Sequence, residues 1–180
     1  MNPINTIIHF WFSELSPAQW WRVDPAIDQI IAQRFAYLHR AAARCELHEW
    51  RNQSLGCLAE IIILDQFSRN LYRDSAQAFA QDSLALTLAQ QALVLNMQKD
   101  LSPPQKAFLY MPFMHSESQH IHKIALELFS EPGLEQSLRS ELQHKAIIDR
   151  FGRYPHRNKL LGRSSSPEEI EFLNQPGSSF

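Results

Sequence analysis

The apolar residues of this chain recur at helical spacing along most of its length. The first group lies at positions i, i+3, i+4 and i+7, which share one face of a helix, and consists of Ile4, Ile7, Ile8 and Trp11. A second such stripe consists of Ile27, Ile31, Phe35, Leu38 and Ala42. The chain has only five glycines and no two-residue hairpin turn between alternating segments. The pattern therefore predicts an all-α protein.

Helix start and stop signals divide this pattern into elements. Start signals are predicted at Asp24–Pro25 and Ser102–Pro103, and as capping boxes at Ser116 with Gln119 and at Ser166 with Glu169. Gly152 is typical of a helix C-terminus. Helices are predicted over about 53–66, about 75–97, and from Pro132 to about Phe151. The short connections favour antiparallel neighbours in one domain, residues 1–174, followed by a flexible tail, residues 175–180.

Composition and charge exclude several classes of partner. The chain has 180 residues, 44% of them apolar, and a net charge of −2, so we expect no nucleic-acid binding and no attraction to an anionic membrane. No apolar run approaches the roughly 18 residues of a membrane span. Two cysteines form no disulfide framework and favour a reducing, cytoplasmic location. The sequence defines no oligomeric state.

Two carboxylates fall on apolar helix faces. Asp65 follows Ile62 by three positions, and Asp82 lies between Phe79 and Leu86. A carboxylate that faces the core costs several kcal/mol unless it is paired, so both are candidate structural ion-pair residues. Arg69 is four residues after Asp65 and can pair with it along the helix. Asp82 has no basic residue within helical reach, so its partner must come from elsewhere in the chain.

The segment 150–163, RFGRYPHRNKLLGR, mixes four arginines with aromatic residues and turn formers. Residues 144–163 contain six basic residues and one acidic residue, a local charge of +5. We expect a helix stop and a short second helix here. Arginine binds carboxylate or phosphate through its planar fork, so two interpretations stay open. Either the arginines pair with Asp65 and Asp82, or some guanidinium groups remain free and line an anion-binding cleft.

The segment YMPFMHSES, residues 110–118, places His115 and Glu117 together. Glu117 is expected in the first turn of a helix, where a negative charge is favourable, and His115 before its cap. The histidines show no metal-ligand spacing, so no metal site is predicted. Nucleophile-elbow, P-loop and dinucleotide motifs are absent, and no cofactor is predicted.

Several long motifs also support a resemblance. In chain order they are FWF, LDQFSRNLYR…AFAQD, YMPFMHSE and RFGRYPHRNKLLGR…SPEEIEFL. Together they resemble a widespread bacterial family known as domain of unknown function 924, over essentially the whole chain. The resemblance implies a tetratricopeptide-like fold, in which antiparallel helix pairs stack into a right-handed superhelical array. It implies no reaction, because the function of the family is not established.

The resemblance also singles out polar positions. The family's motif positions fall here on Asp65, Gln66, Arg69, Asn70, Arg73, Asp82, His115, Glu117, Arg150, Arg153, His156, Arg157, Asn158 and Arg163. The chain departs from the usual pattern at three positions. Ser68 stands where proline is common, Asp74 where glycine is common, and Ser164 where glutamate is common.

Three functions follow as hypotheses. A binding module would hold a small anionic ligand or a peptide through the motif residues just named, other than Asp65, Gln66 and Asp82. A hydrolase of an anionic substrate would use His115 or His156 as general base and an arginine to stabilise negative charge. A scaffold would use the motifs for folding alone.

Overall fold

The chain folds into helices and connecting turns in the computed structural model, which describes residues 2–178. Within that range there is no strand, so the predicted all-α class is confirmed. The α-helices are α1 (Pro3–His9), α2 (Pro25–Ala43), α3 (Ser54–Ile62), α4 (Ser68–Leu71), α5 (Asp82–Val94), α6 (Pro103–Met114), α7 (Gln119–Phe129), α8 (Glu135–Phe151) and α9 (Pro167–Leu173). Residues 179 and 180 of the predicted tail lie outside the described residues.

The predicted capping signals are confirmed at three helix starts and wrong at one. Asp24 accepts a hydrogen bond from the Ala26 amide, and capping boxes begin α6 and α9 at Ser102 and Ser166. The cap of α7 is Ser118 rather than Ser116, and its side chain accepts from the Ile121 amide. Glu117 consequently lies before the cap and not in the first turn. Its carboxylate is held by other parts of the chain, as described below.

The helix predicted over 53–66 extends further and changes its winding. A π-helical turn, Ile63–Phe67, follows α3 and leads directly into α4. The extra residue per turn there brings Asp65 and Gln66 into the interior, where both are buried. Such π turns often lie at functional sites, and this one carries the first of the polar motifs.

The helix predicted over 75–97 is interrupted near its start. A short 3₁₀ segment, Ala76–Phe79, comes first, and α5 begins only at Asp82. Asp82 therefore lies in the first turn of α5, where a carboxylate is favoured by the helix dipole, and not in the middle of an apolar stripe. At the other end Asn96 adopts a left-handed conformation with φ of 57°, which ends the helical run.

The core is centred on α3, all of whose residues from Gly56 to Ile62 are buried. A helix that is apolar on nearly every side belongs inside a protein, and the one charged residue of α3, Glu60, is buried in a pair with Arg51 at 2.7 Å. Gly56 is required there because a Cβ atom would come within 2.1 Å of the Trp50 carbonyl oxygen. The rings of Phe10, Phe35 and Phe67 pack against one another in the same core, with centroids 5.1 to 6.2 Å apart.

The end of α8 positions the arginine-rich segment. Gly152 adopts φ of 66° and ends α8, as predicted. The chain then turns inward at the buried Tyr154, whose hydroxyl donates to the Met114 carbonyl of α6. The expected short second helix is a single 3₁₀ turn, Pro155–Arg157. Among residues 2–178, no helix combines the length and apolar character that crossing a membrane requires.

Candidate functional site

Asp82 joins two arginines that are far apart in the sequence. Arg69 donates to both of its carboxylate oxygens, at 3.0 and 3.2 Å, and Arg157 Nη1 donates to Oδ2 at 3.1 Å. The π turn and α4 supply Arg69, while the turn after α8 supplies Arg157. The side chain of Arg157 is only 6% exposed. Asp82 thus holds the arginine-rich segment against the start of α5.

Asp65 and His115 form a buried pair behind Asp82. Asp65 Oδ1 lies 2.7 Å from His115 Nδ1 and 3.1 Å from Arg69 Nη1. Burial opposes the ionisation of Asp65, but the Arg69 charge and His115 hold its pKa well below its usual range. Burial, followed by the Arg69 charge, lowers the pKa of His115. His115 is therefore neutral near pH 7. An ionised Asp65 can only accept, so the His115 proton lies on Nδ1.

The tautomer of His115 leaves its second nitrogen as an acceptor. Nε2 carries the lone pair, and no residue between 2 and 178 makes a hydrogen bond to it. Gln66 donates to the other oxygen of Asp65, which fixes the carboxylate. This carboxylate–imidazole arrangement is one that general bases use.

Arg157 is surrounded by aromatic rings but has few hydrogen bonds. Its guanidinium carbon lies 4.6 Å from the ring centroid of Phe79 and 4.7 Å from that of Tyr154. Its Nε is buried without a partner, and the one hydrogen bond that its guanidinium group makes within residues 2–178 is that to Asp82. Burial lowers the pKa of the Arg157 guanidinium group. The charge of Asp82 raises this pKa, and the charge of Arg69 lowers it further. Arg157 is thus an incompletely compensated cation.

Glu117 holds the same segment at a second point. It accepts two hydrogen bonds from Arg163, at 2.6 and 2.9 Å, and one from the Tyr154 amide at 2.7 Å. Burial opposes its ionisation, but the Arg163 and Tyr154 hydrogen bonds lower its pKa overall. Together these contacts explain why the chain before α7 departs from the predicted cap.

A cleft of about 270 Å³ opens beside these groups. We call it the Arg157 cleft. Its polar lining consists of Asp82, Ser83, His115, Ser116, Glu117 and Arg157, and its apolar lining of Phe79, Leu86, Pro112 and Leu161. The start of α5, the end of α6 and the turn at 155–161 form its walls. Sequence reasoning missed Ser83, which lies next to a motif residue but carries no signal of its own.

Two of the predicted site residues lie elsewhere, against α2. Asn70 donates to Asp28 Oδ1 at 2.8 Å, and Arg73 donates to both oxygens of Asp28, at 2.9 and 2.8 Å. These contacts join α4 to α2. The sequence did not single out Asp28, which lies in the first turn of α2, as their partner.

Two further predicted residues bind α9. Arg153 donates to both oxygens of Glu169, at 2.6 and 2.8 Å, and Asn158 donates to Glu169 Oε2 at 3.3 Å. Glu169 is also the capping-box residue of α9, where its carboxylate accepts from the Ser166 amide. It therefore caps the helix and binds Arg153 at the same time. Arg153 also donates to the carbonyl of Ser164, one of the three positions that depart from the family pattern.

Arg150 and His156 differ from the rest of the predicted set. Arg150 is exposed and stacks on Phe151, with 4.6 Å between its guanidinium carbon and the ring centroid. The ring centroid of His156 lies 5.6 Å from that of Tyr154, and burial lowers the pKa of His156 to about 4. Neither residue lines the Arg157 cleft. Within residues 2–178, no three potential metal ligands come together.

Comparison with known proteins agrees with this architecture. The family model described as "Bacterial protein of unknown function (DUF924)" matches residues 7–177. The solved structure of a protein of unknown function from Agrobacterium tumefaciens is 36% identical, with a TM-score of 0.91 over 95% of this chain and 96% of that one. No curated protein matches the chain. The chain belongs to the bacterial DUF924 family.

Proposed function

We propose that this protein is a binding module whose Arg157 cleft holds a small anionic ligand. The single observation that supports this most directly is the state of Arg157. Its guanidinium group is almost buried beside the cleft, but within the described residues it makes one hydrogen bond. Its Nε–H group is buried and has no acceptor among the described residues. A phosphate or carboxylate oxygen in the cleft would supply one and would compensate the charge.

The other charges of the cleft do not oppose an anion strongly. Asp82 is shared by two arginines, and Glu117 is bound by Arg163 through both oxygens. Their negative charges are thus largely compensated within the protein. His115 Nε2 would accept a hydrogen bond from a hydroxyl or protonated oxygen of the ligand. Arg157 and His115 would in this way bind different groups of one molecule.

The size of the cleft favours a metabolite over an extended peptide. A volume of about 270 Å³ is near the lower end of ligand pockets. Phe79, Leu86 and Leu161 would contact an apolar part of the ligand. The right-handed superhelical array, with a concave face for a peptide, stays a prediction from the family resemblance. A small-molecule site does not depend on it.

Ser83 offers a test that leaves the ion-pair network intact. It is exposed, lines the cleft and lies in the first turn of α5, where a glutamate is well tolerated. Ser83→Glu should weaken the binding of phosphorylated three- to six-carbon metabolites about tenfold or more by repulsion. The neutral control Ser83→Gln should change it much less. Calorimetric titration would measure both.

The binding proposal has clear contrary outcomes. Equal affinity of the two Ser83 variants would show that the anion lies elsewhere. A panel of phosphorylated metabolites and small carboxylates that leaves the melting temperature unchanged at millimolar concentration would contradict the proposal itself.

A second candidate function is a hydrolase that uses the same cleft, because Asp65 and His115 form a base-like pair at its wall. His115 Nε2 would take a proton from water as the water oxygen attacks the phosphoryl or acyl centre of a bound ester, and Arg157 would stabilise the developing negative charge. The ester bond would then break, and the leaving alcohol would take the proton from His115. Turnover of any such substrate should be lost in His115→Gln, whereas an anion without a hydroxyl group, which contacts Arg157 alone, should still bind. Unchanged turnover in that variant would exclude His115 as the base. His156 is not at the cleft and is a weaker choice.

A further inference from the structure

A second cleft, of about 360 Å³, lies between the end of α2 and the segment that precedes α5. We call it the Arg40 cleft, and its polar lining consists of His39, Arg40, Arg44, Tyr72, Gln77 and Gln81. Tyr72 and Gln81 lie within the motif LDQFSRNLYR…AFAQD, but none of the six is among the polar motif positions that the sequence singled out. The segment 76–83 lines both clefts, with Gln77 and Gln81 at this one and Asp82 and Ser83 at the other.

His39 presents a hydrogen-bond acceptor at this cleft. The Ser68 hydroxyl has one proton, which it donates to the Leu64 carbonyl at 2.6 Å. The 2.7 Å contact between Ser68 Oγ and His39 Nε2 therefore requires the proton to lie on Nε2. Nδ1 then carries the lone pair, and it has no hydrogen-bond partner among residues 2–178. His39 is only 4% exposed, so this nitrogen is held firmly in place.

Burial supports the same protonation state. It lowers the pKa of His39, and the charge of Arg40 lowers it further. The ring is therefore neutral near pH 7 and accepts at Nδ1. The Tyr72 ring packs edge-on against it, with centroids 5.3 Å apart, which fixes the ring plane.

The two arginines of this cleft are available to a ligand. No carboxylate within residues 2–178 pairs with Arg40. Arg44 has one distant contact, 3.9 Å to Glu46, between side chains that are both largely exposed. A pair of that kind contributes little. This differs from the arginines of the family motifs, nearly all of which are bound to carboxylates.

We infer that the Arg40 cleft is a second ligand site, for a small phosphate or carboxylate that carries a hydroxyl or N–H group. Arg40 and Arg44 bind the anion, and His39 Nδ1 accepts the hydrogen bond of the neighbouring donor. Gln77 and Gln81 provide further amide contacts at the wall. The inference rests on a different set of residues from the proposed function, and it stands if the Arg157 cleft binds nothing.

The test compares glycerol 2-phosphate, which has hydroxyl groups, with methyl phosphate, which has none. Both are titrated into the Ser83→Glu variant, so that the Arg157 cleft contributes little. Glycerol 2-phosphate should shift the His39 Nδ1 resonance in ¹⁵N spectra, and methyl phosphate should bind more weakly without that shift. The double variant Arg40→Gln/Arg44→Gln should lose about tenfold or more in affinity for glycerol 2-phosphate.

Arg22→Gln serves as the control, because Arg22 is exposed and does not line this cleft. Added to the Ser83→Glu variant, it should leave the affinity for glycerol 2-phosphate unchanged. The inference is overturned if millimolar glycerol 2-phosphate leaves His39 unchanged, or if the double variant binds as tightly as the Arg22→Gln control. If wild type binds glycerol 2-phosphate and the Ser83→Glu variant does not, the ligand lies in the Arg157 cleft. That result would also overturn the inference.

Discussion

Asp82 stabilises the fold because both of its arginine partners are poorly hydrated. Arg157 is 6% exposed and Arg69 is 22% exposed. Removing the carboxylate charge would leave two like charges together in a partly apolar environment. The attraction that Asp82 supplies is therefore larger than that of a surface ion pair.

We expect Asp82→Asn to lower the free energy of unfolding by about 3–5 kcal/mol, since it leaves Arg157 and Arg69 without their shared counter-charge. Urea denaturation would measure the loss. Asp149→Asn is the matched control, because Asp149 forms an exposed pair with Lys145, and it should cost at most about 1 kcal/mol. Equal losses in the two variants would show that Asp82 is not a structural centre.

Sequence reasoning at this scale could identify polar residues that need a partner, but not always the partner. The Asp65–Arg69 contact follows from helical spacing alone. For Asp82 the sequence predicted only that the partner comes from elsewhere, because Arg157 is brought to it by the path of the chain after α8. The tautomers of His39 and His115 depend on contacts with Ser68 and Asp65 that no local pattern encodes.

The helix ends decide where the polar segments lie. Gly152 ends α8 with φ of 66°, and nothing lies within 4 Å of the position where a Cβ atom would be. A side chain there would meet backbone strain only, without a steric clash. Asp74 also adopts a positive φ, of 58°, at a position where the family commonly has glycine. Asp74 thus adopts the left-handed backbone conformation although it is not a glycine.

Gly152→Ala should lower the free energy of unfolding by about 1 kcal/mol, the cost of a left-handed conformation for a residue with a Cβ atom. The matched control is Gln143→Ala at an exposed position within α8, which should change stability by less than about 0.5 kcal/mol. Thermal melts of both variants would measure this. A Gly152→Ala variant as stable as the control would contradict the role assigned to the turn.

The extents of the helices were predicted less well than their existence. The run from 75 to 97 has few breaker residues, so its periodicity favoured one helix. Instead, the run begins with a 3₁₀ segment capped by Ser75, and α5 starts at Asp82, which binds two arginines. The π turn at 63–67, which brings Asp65 and Gln66 into the interior, likewise has no local signal in the sequence.

Over the whole molecule, buried histidines make the fold sensitive to acid. Burial lowers the pKa of His39 and His115, that of His144 to about 3 and that of His156 to about 4. Unfolded histidines bind protons below about pH 6.5, whereas these stay neutral in the fold. The unfolded state thus binds more protons, so stability falls as pH decreases. Burial raises the pKa of Glu141, so the folded state binds a proton there more readily than the unfolded state does. This single group favours the fold at low pH, whereas the four histidines disfavour it.

We expect His144 and His156 to lower the free energy of unfolding by about 1–2 kcal/mol each between about pH 7 and about pH 5, a sum of about 2–4 kcal/mol to which His39 and His115 add and which Glu141 partly offsets. Urea denaturation at the two pH values would measure this. His144→Gln should show a shallower pH dependence than wild type. A stability that is constant over this range would contradict the assignment of neutral, buried histidines.

The all-α class and the family could be predicted from periodicity, capping signals and motifs. The separation of the motif residues into distinct groups could not, because it depends on how α2, α5 and α9 pack against the arginines. Most arginines of the segment 150–163 bind carboxylates, which the sequence left open. We propose that Arg157 combines a structural role, through its ion pair with Asp82, with the binding of a ligand.

The most direct test of this account is a crystal structure of the wild-type protein grown at high inorganic phosphate concentration. The account predicts a phosphate oxygen within about 3 Å of a guanidinium nitrogen of Arg157, with the Asp82 contact retained. A well-ordered structure with phosphate bound elsewhere and none in the Arg157 cleft would contradict it. The arginine-rich motifs would then serve the fold alone.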